Sequence, residues 1–140
     1  ALKASNNQEA LNKLSSIMDK NFTGLCMVNL SDFDNLYGHL RDVEGYGKAI
    51  EDLDVEIPLL LNKLEMDDLL IITADHGNDP TFKGNDHTRE NVPVIMYCRN
   101  FKTPHRLEPQ ETFACIGATI AENFDLEPPE IGTSLLDNFD

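Results

Sequence analysis

Basic residues are scarce in this chain. Eleven Lys and Arg stand against 25 Asp and Glu in 140 residues, a formal net charge of -14. A field of that sign repels phosphate backbones and anionic lipid, which excludes nucleic acid and membrane surfaces as partners, and it attracts divalent cations. Long apolar runs are missing as well. The apolar runs present, such as residues 24–28 and 69–72, are of strand length, far below the ~20 residues of a membrane span. Cysteine is limited to Cys26, Cys98 and Cys115, an odd number without CxxC spacing. That excludes a disulfide framework and a thiolate zinc knot, and it fits a reducing cytoplasm. Residues 1–6 show neither the basic start nor the apolar stretch of a secretory signal. With 41% hydrophobic and 26% charged residues, the composition is that of an ordinary globular chain and not a disordered one. The length suits one domain with a single core.

What is present is an alternation of apolar periods. Residues 6–20 read as a helix: Asn6 caps it, Glu9 stands at the capping-box position, and Ala10, Leu11, Leu14, Ile17 and Met18 recur at helical spacing. Residues 23–30 read as a buried strand. Asp42 caps a second helix carrying Val43, Tyr46, Ala49, Ile50 and Leu53 on one stripe, with Pro58 expected to bend or restart it. Residues 68–74 and 92–98 read as further strands, Pro93 being tolerable at the start of the last. Residues 110–124 read as a final helix, with Phe113, Ile116, Gly117, Ile120 and Ala121 on one face and Gly117 permitting close packing. Strands alternating with helices predict an α/β fold with a parallel sheet. Right-handed crossovers then bring the segments after each strand to one sheet edge, where such folds bind ligands.

Two of those segments hold the chemistry. After the first strand come Asp32, Asp34 and His39. After the second come Asp75, His76, Gly77, Asn78 and Asp79, then Asp86, His87, Arg89 and Glu90. Imidazole with carboxylate is a donor set for Zn²⁺, Mn²⁺ or Fe²⁺, whereas all-oxygen cages suit Ca²⁺ or Mg²⁺. An isolated loop histidine is ordinarily a solvated one, and His105, with no carboxylate near it in sequence, is read that way. Asp-His directly after so apolar a strand is different, because the strand sets it at the sheet edge and Gly77 allows a sharp turn. Two such segments in one short chain point to metal. Asp79 or Asp86 is a candidate to orient a liganding histidine, with ordinary loop carboxylates as the equal alternative. Arg89 and Lys83 are read as solvated loop residues, with phosphate contact as the alternative.

Residues 72–78, Ile-Thr-Ala-Asp-His-Gly-Asn, resemble the metal loop of the alkaline phosphatase superfamily, especially its cofactor-independent mutases. Asp34-x4-His39, the run Gly77 to Thr81, and Asp86-His87-Thr88-Arg89-Glu90-x-Val92-Pro93 resemble the phosphopentomutases in particular. Residues 41–46 and 132–134 fit the same family, and Leu40 departs from it, standing where an Arg is expected. The resemblance implies an alkaline-phosphatase-like core, a three-layer sandwich with a mostly parallel sheet. It implies two Mn²⁺ ions: Asp34, His39 and His87 for one, Asp75 and His76 for part of the other. It also implies that the second site's remaining Asp, the phosphothreonine nucleophile and a cap domain lie outside residues 1–140, which then form the C-terminal portion of the catalytic core. On that reading a pentose phosphate is the substrate, the whole enzyme interconverts the 1- and 5-phosphates of ribose or deoxyribose, and residues 1–140 alone are a cytoplasmic, inactive monomer. Phosphoglycerate mutases share the Asp-His-Gly-Asn loop but generally place the earlier Asp and His four positions apart. A non-catalytic cation-binding module is the third reading.

Overall fold

A computed structural model describes residues 1–20, 22–104 and 106–139. His105 therefore lies outside the described residues. The first helix, α1 (Asn7–Met18), starts where the sequence places it: the Asn6 side chain accepts from Glu9 N at 2.8 Å. Glu9 reaches one residue further back than a capping box requires, accepting from both the amide and the hydroxyl of Ser5 at 2.7 and 2.6 Å. The hydrogen bond from Lys13, then those from Ser5, hold the Glu9 carboxyl down at about 2. Helix α2 (Val43–Lys63) opens on Asp42, whose carboxylate accepts from Gly45 N at 2.9 Å. It packs against α1, burying Ala10, Leu11 and Leu60. Lys63 ties the two ends together, donating to Ser15 O and to Asp19.

Pro58 neither ends nor restarts α2, which runs through it unbroken. Pro58 and Asp54 are both exposed, so the carbonyl four residues back, which loses its N–H partner, lies on the solvent side of the helix. Residues 23–30 form no strand. They keep the two-residue alternation of one, with Cys26, Val28 and Leu30 half-buried and Leu25, Met27 and Asn29 exposed. Among the described residues no segment pairs with them, and an apolar run without a ladder partner is not a strand.

The sheet differs from the parallel one expected. Among the described residues it has two strands, β1 (Leu70–Thr73) and β2 (Val94–Tyr97), paired antiparallel from Leu70↔Tyr97 to Thr73↔Val94. A parallel pair needs a crossover, usually helical, and the connection between these strands contains no helix. Pro93 stands just before β2, where its missing N–H costs no ladder bond.

Helix α3 (Ala114–Asn123) is shorter than expected at its start, and it buries Cys115, Ala118 and Thr119 rather than the Phe113–Ile120 stripe. Gly117 faces open space and supports no close packing. The side that wins is set by the C-terminal turn Leu136–Asn138, which folds back on α3. Thr119, fully buried, donates to Cys115 O at 2.7 Å and accepts from Leu135 N at 2.9 Å. All three cysteines are free. Among the described residues, no helix is long and apolar enough to cross a membrane.

Candidate metal centre

Between residue 30 and α2 the chain winds into a π-helical turn, Phe33–Gly38. Its hydrogen bonds span five residues: His39 N donates to Asp34 O at 2.9 Å and Asp42 N to Tyr37 O at 3.0 Å. That winding explains the spacing of Asp34 and His39. Five positions along an α-helix fall about 140° apart, but an i→i+5 turn stacks them on one side. Their side chains meet, with Asp34 Oδ2 3.4 Å from His39 Nε2. Phe33 packs edge-on to Tyr46 of α2, ring centroids 5.9 Å apart. Asp32 caps nothing in its own turn; it exchanges hydrogen bonds with Asn7 at the start of α1, at 2.8 and 3.0 Å.

The third donor arrives from the loop after β1. Gly77 and Thr88 form an antiparallel bridge, with Thr88 N donating to Gly77 O at 3.0 Å, while Asp79 N donates to Thr88 Oγ1 at 2.7 Å. This closes the base of the loop and sets His87 beside Asp34. Gly77 is needed for this approach more than for a turn. A Cβ there would lie 2.5 Å from Glu90 Oε2 and 2.8 Å from its backbone nitrogen.

Asp34, His39 and His87 thus converge although one comes from a different loop. His87 Nε2 is 3.4 Å from Asp34 Oδ1 and 3.1 Å from His39 Nε2. Donor atoms about 2.1 Å from a shared ion and 90–110° apart lie about 3.0–3.4 Å from one another. The two imidazole nitrogens have that separation and each stands 3.4 Å from one of the two Asp34 oxygens, so the donor set fits a divalent cation. His39 Nδ1 lies 2.5 Å from Asn85 O, and since a carbonyl only accepts, Nδ1 carries the proton. Nε2 is left with its lone pair towards Asp34 and His87, the tautomer that ligation requires. Beside the site, burial first, then the charges of Asp34, Asp79 and Glu90, raise the Tyr46 phenol above its ordinary value.

Asp75 and His76 lie beside this triangle but outside it. The His76 ring stacks on His87, centroids 3.7 Å apart, and its Nε2 is 3.7 Å from Asp75 Oδ1. The Asp75 side chain is 86% exposed. Arg89 and Lys83 are exposed, as the solvated reading expects. Neither Asp79 nor Asp86 orients a triad histidine. Asp79 accepts from Thr81 N and Oγ1, which lowers its carboxyl, and Asp86 meets Arg41 through its backbone.

Three groups at the site were given no role from the sequence: Asn78, Arg41 and the Asn85 carbonyl. Asn78, nearly buried, donates to Asp34 Oδ1 at 2.6 Å and accepts from Arg41 at 2.6 Å. Arginine does not ligate metal and asparagine is not among the imidazole and carboxylate donors sought, so a search for that donor set passes over both; the one signal was their place inside the motif runs. Compared with known protein families, residues 2–128 match the Metalloenzyme superfamily. The match covers most of the chain, so it belongs to the Metalloenzyme superfamily, with an α/β fold and a donor set suited to a divalent metal.

Proposed function

We propose that this chain carries the metal centre of a phosphomutase acting on pentose phosphates, interconverting the 1- and 5-phosphates of ribose or deoxyribose. The convergence of Asp34, His39 and His87 carries the reading. The five-residue spacing of Asp34 and His39 and the Asn78-Asp79-Pro80-Thr81 continuation favour the pentose enzyme over a phosphoglycerate mutase. Asp34, His39 and His87 hold one cation; Asp75 and His76 contribute to a second. Bound there, divalent cations, manganese on this reading, neutralise charge on a phosphoryl group in transfer. The chain's own residues prepare that step. His39 is fixed in its ligating tautomer by Asn85 O, His87 is braced by the stacked His76, and Asp34 is held by Asn78. The nucleophilic phosphothreonine and the last ligand of the second site are assigned outside residues 1–140. A larger, mostly parallel sheet, with residues 23–30 paired into it, belongs to the same proposal.

The test is a Mn²⁺ titration followed by EPR, with Asp34→Ala as control. One saturable ion, lost in the variant, is the expected result; no saturable binding overturns the metal assignment. Substrate class is read by mixing the chain with the N-terminal part of a phosphopentomutase. Gain of ribose phosphate interconversion supports the pentose reading, and gain of phosphoglycerate conversion contradicts it.

A further inference from the structure

The left-handed backbone of Arg41, at φ +56°, is unusual for a residue with a side chain. Such a conformation costs about 1–2 kcal/mol and persists where the surroundings demand it. Here the demand is visible. The Arg41 guanidinium donates to Gly38 O at 2.9 Å, Asn78 Oδ1 at 2.6 Å, Asp79 O at 3.0 Å and Asp86 O at 2.5 Å, and its Nε donates to Gly84 O. Every one of these acceptors is a neutral carbonyl or amide oxygen. One lies on the turn carrying Asp34 and His39, and four lie on the loop carrying His87.

We infer that Arg41 is a positioning residue, a clamp that brings the His87 loop onto the Asp34–His39 turn and, through Asn78, aims the Asp34 carboxylate. Residues 81–87 are exposed throughout and form no regular structure, so the loop has no core of its own to hold it. Its described anchors include the Gly77–Thr88 bridge and the Asp79–Thr88 hydrogen bond at its base, the contacts of His87 with His76, His39 and Asp34, the His39–Asn85 contact and the Arg41 fork. The relay fixes the Asn78 amide. Its oxygen must face Arg41, which only donates, so its nitrogen is left to donate to Asp34. Lysine cannot replace this fork, because one ammonium cannot span acceptors spread over both segments.

The metal half of this inference rests on the proposed function; the clamp itself does not, and the test separates them. Arg41→Gly suits the left-handed backbone, so any loss reports the guanidinium and not strain. In metal-free protein, amide exchange over residues 79–88 is expected to accelerate in Arg41→Gly and Arg41→Lys, with α2 unchanged. Unchanged exchange in the loop overturns the clamp whatever the metal does. In Mn²⁺ titrations, both variants are expected to bind roughly 10–100-fold more weakly, and ethylguanidinium is expected to restore binding in Arg41→Gly. Weakened binding that ethylguanidinium leaves unrestored overturns the positioning role. Wild-type protein that binds no Mn²⁺ overturns the metal reading, and the exchange data then decide the clamp alone.

Discussion

Replacing Gly38 with alanine tests how tightly the donor triangle is supported. Gly38 is buried at the end of the π-helical turn, and a Cβ there would fall 2.4 Å from Asn78 Nδ2 and 2.7 Å from its Cγ. Non-bonded heavy atoms settle about 3.5 Å apart, so Asn78 must retreat by about 1 Å. Because Asp34 is on the same turn as Gly38, that retreat also stretches the 2.6 Å hydrogen bond from Asn78 to Asp34 past any useful length. The loss comprises about 1–3 kcal/mol of overpacking and about 1.5–3 kcal/mol for a hydrogen bond to a charged group. Up to about 1 kcal/mol of helix propensity offsets it. Gly38→Ala should therefore unfold at lower denaturant concentration and bind Mn²⁺ roughly 10–100-fold more weakly. Urea melts with and without Mn²⁺, beside an EPR titration, read both effects. Wild-type affinity in this variant would refute the claim that Asn78 positions Asp34.

Three further outcomes concern the scaffold. Thr119→Val keeps the side-chain shape but leaves the Leu135 amide buried without its acceptor, so a loss of about 1–3 kcal/mol is expected in urea melts; a neutral result would contradict the pinning of the C-terminal turn. Glu9 titrates at about 2 in the folded chain against an ordinary 4.5. Its stabilisation is complete above the upper value and is lost as pH falls through the lower one, so amide protection at the start of α1 should decline over that interval in wild type and not in Glu9→Gln. Pro58→Ala restores a hydrogen bond on the exposed side of α2 and should stabilise by about 1–3 kcal/mol; destabilisation would show that Pro58 makes a packing contribution not evident here.

The parts of the fold that local chemistry decides were legible in the residue order. Asn6 and Asp42 announced their helices because a cap is a contact between residues three apart. β1 and β2 were visible as apolar runs. Strand direction and pairing were not, because they depend on distant partners: the antiparallel β1–β2 pair follows from a connection without a helix, and residues 23–30 are apolar without a described partner. The buried side of α3 was misread for the same reason, since Leu135 and the C-terminal turn choose it. At the site, residue type marked two segments rich in histidine and carboxylate, and the family resemblance singled out Asp34, His39 and His87 among them. Arg41 and Asn78 were given no role, because their importance comes from the carbonyls and carboxylate they meet only after folding.

The central claim is that two imidazoles and one carboxylate converge on a single ion. Electron spin echo modulation of the Mn²⁺-loaded chain, prepared with ¹⁴N- and ¹⁵N-labelled histidine, tests it most directly. Two directly bound imidazole nitrogens are the predicted result, with one remaining in either His39→Ala or His87→Ala. Bound Mn²⁺ showing no imidazole nitrogen would contradict the account.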